Sequence, residues 1–390
     1  MTESFGTLNP STRLLLGPGP SQISPRVLRA CATPLLGYLD PEYLTLMDET
    51  QTLLREVFGT TNEWTMCVPG TGMAGMEAAF INLLEPGDSA LICVNGVFGE
   101  RMIDVATRAG AKVTRVDAEW GEIVRPEQVR EALRTVRPKI VAIVHAETST
   151  GVLQPLEEIA ALAHEAGALL VADCVTSLGG VPVQLDARGV DVAYSGTQKC
   201  VGSPPSLAPI SMNEAAVAVF KGRSTPVQSF YLDLGQIWRY WGPERAYHQT
   251  GMINMTYALR EALLEIKDEG LEARYARHQR NQAALVAGLE AMGLSLLVRN
   301  AGWRLPSLTT VEIPEGVDDK VVRDGLLSKY GIEIGGGLGR YAGKVWRIGL
   351  MGYASQQANV MLLLSALGDL LKNESVDEGL AAAAGVYAAQ

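Results

Sequence analysis

Three things are scarce in this 390-residue sequence, and each absence excludes a class of function. No apolar run approaches the roughly 20 residues needed to cross a bilayer, so a membrane-spanning reading is set aside. Clusters of Lys and Arg are missing from a chain whose net charge is −10, so neither nucleic acid nor a membrane surface is an expected partner. Any anion must then be held by helix ends and single residues. Only five cysteines occur (Cys31, Cys67, Cys93, Cys174 and Cys200), with no CxxC or Cys/His ligand spacing, so no metal site is expected. They are expected to be reduced small hydrophobes in a cytoplasmic protein. The opening MTESFGTLNP lacks a basic stretch followed by an apolar core, so no secretory signal is expected.

The length allows two domains, and 47% apolar residues with 41 glycines suit a loop-rich α/β enzyme. Strand-like apolar runs (Met66–Pro69, Ala90–Val94, Lys112–Val116, Lys139–Val144) alternate with helical stretches (Pro41–Phe58, Gly99–Ala109, Pro126–Thr135, Leu156–Glu165). This rhythm predicts a large, doubly wound, mostly parallel sheet domain over 13–260, after an N-terminal arm at 1–12. From about Glu261 long charged helices lead to short strands, which predicts a smaller C-terminal α+β domain over 261–390. The Ala-rich tail after Lys372 reads as a loosely held helix.

The chain is organised around Leu169–Ser206, LLVADCVTSLGGVPVQLDARGVDVAYSGTQKCVGSPPS. One apolar run ends in Asp173; a second, Asp191–Tyr194, ends in Ser-Gly-Thr-Gln and a lone Lys199. Runs of this kind read as buried parallel strands, and open α/β sheets bind ligands beyond the carboxyl ends of such strands. Singly, an Asp after a strand is more often a cap and a Lys more often solvated. Together at one sheet edge they suit pyridoxal phosphate, which needs a lysine for a Schiff base and an acid facing its ring nitrogen. Upstream, GTGMAG (Gly70, Gly72, Gly75) follows a strand and opens a helix, as a dinucleotide fingerprint does. The following strand ends in Asn95-Gly96 rather than an acid, so a single-phosphate site is preferred and a nucleotide-binding α/β protein is the distant alternative. The turn GPGPS, Gly17–Ser21, brings backbone close to something.

With HAETSTG, LLVADCVTSLGG, YSGTQK and KVWRIGLMG assembled, the chain resembles the class V, fold-type I pyridoxal-phosphate aminotransferases, most of all their alanine–glyoxylate and serine–pyruvate branch. The resemblance runs from LLLGPGPS to IGLMGYASQQANV. It implies that Lys199 is the Schiff-base lysine and that Asp173 binds the pyridinium nitrogen. Thr71, Gly72, Met73 and Gln198 would hold the phosphate, Thr148 the ring oxygen or substrate, and Val175 one ring face. Phe98 matches a position where these enzymes often carry Trp, keeping an aromatic platform of smaller area. Arg347 would grip the substrate carboxylate, with Gly19 and Tyr38 lining the substrate pocket. Tyr247 and Thr250 match residues that reach a partner subunit's phosphate, which implies a homodimer with shared sites. The implied reaction is a ping-pong transfer of the amino group of alanine or serine to glyoxylate or pyruvate. Cysteine desulfurases differ in carrying His where Gln198 precedes the lysine. Ureidoglycine–glyoxylate aminotransferases, whose pattern has amides where this chain has Tyr38 and Tyr247, remain the alternative.

Overall fold

The computed structural model describes residues 6–389. Of the expected arm at 1–12, residues 1–5 lie outside the described residues, and 6–12 are exposed without regular structure. The central sheet has seven strands: β1 (Trp64–Pro69), β2 (Ser89–Val94), β3 (Lys112–Asp117), β4 (Ile140–Val144), β5 (Leu169–Asp173), β6 (Val192–Tyr194) and β7 (Leu207–Met212). Their spatial order is β1-β7-β6-β5-β4-β2-β3. The pairs β6–β5, β5–β4, β4–β2 and β2–β3 are parallel. β7 runs antiparallel to both of its neighbours, a strand the sequence reading did not identify. Its sequence, LAPISM, is short, and a proline interrupts it.

Every residue of β4, β5 and β6 is buried, as strands packed on both faces must be, whereas edge strand β3 is largely exposed. Register aligns the carboxyl ends of three central strands, because Val144 pairs with Asp173 and Asp173 with Tyr194. The loops HAETSTG, CVTS and SGTQK therefore leave the sheet at one edge. Helix α1 (Gly72–Leu83) starts where β1 ends, and helix α2 (Val97–Arg108) starts three residues after β2.

Two hydrophobic cores organise the chain. The first runs from Val27 to Ile266 and packs both faces of the central sheet; the second joins Leu16 to residues between Ala284 and Ala383. Helices α3 (Ile253–Glu269) and α4 (Leu271–Ala291) pass from one core to the other through Gly270, whose φ of +83° turns the chain. The second core carries an antiparallel sheet of β8 (Leu308–Glu312), β9 (Gly335–Gly336) and β10 (Val345–Gly349), with β10 in the middle. The strand Leu14–Leu15 pairs with Ile332–Glu333, so the segment before GPGPS belongs with this second core. The tail is helical at Val376–Ala388, but it is firmly rather than loosely held. Ala383 is buried, Leu380 and Val386 pack on the second core, and the Tyr387 hydroxyl donates to Asn281 Oδ1 at 2.8 Å. Small side chains allow that close approach to α4.

The GPGP turn is wedged between β10 and the sheet. Gly349 N donates to Leu16 O at 2.7 Å, and a Cβ on Gly349 would lie 2.0 Å from Gly17 O. Gly349→Ala is accordingly expected to destabilise the protein by about 1–3 kcal/mol through overpacking. The measurement is the thermal midpoint; an unchanged value would mean that the turn gives way freely.

Candidate active site

Asp173 ends β5 with its side chain buried, accepting from the Val175 amide at 2.9 Å. Burial pushes its carboxyl up to about 7, the nearby Glu147 charge adding to the rise and the Val175 amide opposing it. Tyr194, its register partner on β6, buries a hydroxyl that has no hydrogen-bond partner among the described residues. A carboxyl buried this way has no ionic partner among the described residues, and an incoming cation or N–H donor would stabilise its charged form.

Lys199 lies beyond β6 in a tight turn whose backbone is pinned by Ser21. Ser21 Oγ donates to Lys199 O at 2.7 Å, and Ser21 N donates to Gln198 O at 2.8 Å. The side chain is buried, and its ammonium donates to Pro18 O. A Cβ at Gly19, where φ is +106°, would lie 2.6 Å from Lys199 Nζ, so only glycine lets the turn pass over the amine. Burial first, then the Arg347 charge, lowers the Lys199 amine to about 8. A lysine so shifted is neutral in about a tenth of molecules at pH 7, far more often than an ordinary lysine, which favours a proton-transferring amine.

Arg347 occupies the middle of β10, opposite Thr310 and Gly335. Its Nε donates to Gly336 O at 2.7 Å and its Nη1 to Thr148 O at 3.2 Å. Burial lowers this guanidinium to about 10, with Glu147 opposing the fall. No carboxylate pairs with it among the described residues, so the structural ion pair that a strand arginine usually signifies is not what holds it. Its Nη1–Nη2 edge keeps free donors for a carboxylate fork.

A cradle that suits a single anion follows from helix geometry. Thr71 is the N-cap of α1, yet its hydroxyl makes no capping bond; the Ala74 amide donates to Thr71 O at 2.8 Å, which leaves the Gly72 and Met73 amides ahead of it for an anion. The three glycines of GTGMAG each have a local reason. Gly70 adopts a φ of +133°; a Cβ on Gly72 would meet Val175 Cγ2 at 2.8 Å; a Cβ on Gly75 would meet Ala208 and Tyr194 at 3.0 and 3.1 Å. The motif thus seats one helix N-terminus on the sheet beside Val175. Met73 is half-buried beside it, and the buried Gln198 Oε1 lacks a partner. Thr148, whose hydroxyl meets that of Thr176, lies between β4 and Arg347. Phe98 is half-buried in the first turn of α2, one face covered by the Arg101 guanidinium at 5.0 Å.

The structure therefore gathers Lys199, Asp173, Gly19, Thr148, Arg347, Val175, Gly72 and the start of α1 around one strand edge. Tyr38, Tyr247 and Thr250 form a separate group. The two rings lie 5.0 Å apart, the Tyr247 and Thr250 hydroxyls are 3.5 Å apart, and among the described residues no hydrogen bond or ring contact joins them to Lys199. Two buried polar side chains at this edge, Glu147 and Tyr194, escaped the sequence reading. Glu147 was legible as an acid at a strand end within HAETSTG; Tyr194 carried no signal apart from register. His145 is buried and held neutral, its pKa lowered by burial to about 3.

The residues present fit pyridoxal phosphate. An uncapped helix start suits its phosphate, an unpaired buried carboxyl its ring nitrogen, a buried amine its aldehyde, and a half-buried aromatic with Val175 its ring faces.

Comparisons with known proteins agree. The family model described as aminotransferase class-V matches residues 14–361. A crystal structure of alanine–glyoxylate aminotransferase from Nostoc sp. superposes with a TM-score of 0.93 at 51% identity, covering 95% of this chain and 98% of that one. The (S)-ureidoglycine–glyoxylate transaminase of Bacillus subtilis is 41% identical over 96% of this chain and 95% of its own length. The alanine–glyoxylate aminotransferase of Callithrix jacchus is 41% identical over 93% and 88%.

The raised Asp173 carboxyl has a signed consequence for the cofactor-free protein. Its folded pKa of about 7 exceeds the ordinary 3.8, so the folded state binds more protons between those values. The stability it contributes is full below the ordinary value and lost as pH rises through about 7. Cofactor-free Asp173→Asn is expected to melt several degrees above cofactor-free wild type at pH 8, the gap closing toward pH 4. Equal melting temperatures at pH 8 would contradict this.

Proposed function

The chain belongs to the class V aminotransferases, pyridoxal-phosphate enzymes of fold type I, and from that premise we propose that it moves the amino group of a small L-amino acid, alanine or serine, to glyoxylate or pyruvate. The observation that carries the reading is a set of three buried ionisable groups, Lys199, Asp173 and Arg347, at one strand edge with no ion pair among them or with other described residues. Bound pyridoxal phosphate supplies an aldehyde for amino groups and a ring that accepts the electron pair left when a Cα proton departs.

The chain's own side chains do the rest. Thr71, the Gly72 and Met73 amides and Gln198 would hold the phosphate. Phe98 and Val175 would take the ring, and Asp173 would set a negative charge against the ring nitrogen. Thr148 would lend a hydroxyl to the ring oxygen or the substrate. Arg347 binds the carboxylate common to amino acid and oxo acid, which lets one site serve both halves of a ping-pong cycle. With the carboxylate held, Lys199 Nζ takes the proton from the substrate Cα as base and, as acid, would deliver it to the former aldehyde carbon of the cofactor rather than back to Cα. Gly19 leaves room for that amine beneath the turn.

The second tyrosine group supports a homodimer with shared sites. Tyr247, Phe230, Tyr231, Leu39 and Met252 are large apolar side chains exposed on the single chain, 55% and 75% for the first two, and Tyr38 and Thr250 lie among them. In the dimer, Tyr247 and Thr250 would reach the partner's phosphate. Tyr38 and Tyr247 would narrow the pocket to small donors. The ureidoglycine reading would favour amides at these positions, and the Bacillus relative at 41% identity is the reason to test it. The five thiols, all free, and the lack of any described helix long and apolar enough to cross a membrane support placing the enzyme in the cytoplasm.

Three measurements test the proposal. A donor panel against glyoxylate, pyruvate and oxaloacetate should favour alanine or serine; preferential turnover of ureidoglycine would transfer the chain to the alternative. Lys199→Ala should reduce turnover by at least about 10³-fold while phosphate-anchored cofactor is retained, and near-normal transfer would remove Lys199 from the mechanism. Arg347→Lys should raise KM for donor and acceptor alike, roughly 10- to 100-fold, because a lysine cannot form the fork. An unchanged KM would take Arg347 out of the site.

A further inference from the structure

Glu147 is a fully buried carboxyl that the transfer steps above leave unused. Its Oε1 accepts from Ser149 N at 3.0 Å and from Ser149 Oγ at 2.6 Å, while Oε2 accepts from Phe98 N at 3.1 Å. Ser149 Oγ in turn accepts from Val97 N at 2.9 Å. Helix α2 begins behind Gly96, which offers no side-chain cap, so its first amides are capped from a loop some 50 residues on. Gly96 is what admits the cap. A Cβ there would lie 2.3 Å from Glu147 Cδ and 2.6 Å from Ser149 Oγ.

Between the two capping residues, Thr148 gives its carbonyl to Arg347 Nη1 and its hydroxyl to Thr176. A single tripeptide thus grips the turn carrying Phe98 on one side and the guanidinium from the second core on the other. No Lys or Arg forms a salt bridge with Glu147 among the described residues, so its carboxylate is committed to these hydrogen bonds. Burial raises its pKa against the pull of those donors, and its charge favours the Arg347 cation.

We propose that Glu147 is a positioning residue that sets the Phe98 ring and, through the Thr148 carbonyl, the Arg347 guanidinium, fixing cofactor platform and substrate grip together. This rests on the assignment of Phe98 to the cofactor ring and Arg347 to the carboxylate. A simple buried cap would stabilise the fold without tuning either ligand, and the two roles separate experimentally.

The test uses the full-length holoenzyme and Glu147→Gln, which keeps the volume but turns one acceptor into an N–H group facing a donor. The expected result is an increase of about tenfold in the pyridoxal phosphate dissociation constant, the loss of one hydrogen bond to a charged group. The visible circular dichroism of bound cofactor should change, and KM for the amino donor should rise more than kcat falls. In a Phe98→Ala background the same substitution should add little to the cofactor dissociation constant. A lower thermal midpoint with unchanged dissociation constant, dichroism and KM would overturn the proposal, as would equal losses with and without Phe98. If Glu147→Gln does not accumulate folded, Ser149→Ala, which removes the hydroxyl links to Glu147 Oε1 and Val97 N but keeps the Glu147 carboxylate, is read the same way. It should weaken cofactor binding by about threefold, and unchanged affinity overturns the proposal. Wild-type protein that takes up no pyridoxal phosphate would instead sink the underlying assignment.

Discussion

Three ionisable side chains are buried at one strand edge without an ionic partner among the described residues, and the rest of the structure is arranged to tolerate this. Burying an unpaired charge is costly, and the shifts record the cost as Asp173 moves up and Lys199 and Arg347 move down. None of these groups stabilises the fold by itself. Stability comes from two hydrophobic cores on either side of the site, one around the central sheet and one beneath β10. A cofactor with a cationic ring and an aldehyde would answer Asp173 and Lys199, and a substrate carboxylate would answer Arg347, which explains why the same set is poor for an empty protein and good for an enzyme.

The second constraint is room. Gly19, Gly72 and Gly349 stand where any side chain would collide with Lys199, Val175 or the GPGP backbone. Because the missing side chains are replaced by close backbone approach, the turn, the phosphate helix and β10 hold one another in place. The turn is tied to the second core through Leu16 and to the first through Gln198 and Lys199. Arg347 lies on a strand of the second core, Asp173 and Lys199 at strand ends of the first, and their relative placement depends on these short contacts and on the Thr148 carbonyl.

Much of this was legible in the sequence where the signal is local. Continuous apolar runs marked β4, β5 and β6, and Asp173 and Lys199 were visible at their ends because parallel strands finish where ligands bind. Helices at Pro41–Phe58 and Pro126–Thr135 match their periodicity to the residue. β7 was not read, because a six-residue strand with a central proline looks like a loop until its neighbours pair with it. The tail helix reads as loose because alanines carry little burial signal, yet small residues are what let it lie close against α4. Glu147 reads as one more loop acid; its role depends on the absence of a side chain at Gly96, fifty positions away, and only folding brings the two together.

The sequence by itself determined the chemistry. It supplied a lysine and an aspartate at strand ends, a glycine-rich helix start and an arginine in a β-strand, all patterns set by neighbours within a few residues. The tertiary structure alone decided how those groups act on one another. Register put three strand ends at one edge, burial moved the proton affinities, and a turn from the N-terminus closed over the amine. It also left Tyr38, Tyr247 and Thr250 apart from Lys199 in the single chain. The physical reason is that charge shifts and close approach depend on distances across the fold, which residues far apart in sequence establish only when the two cores pack.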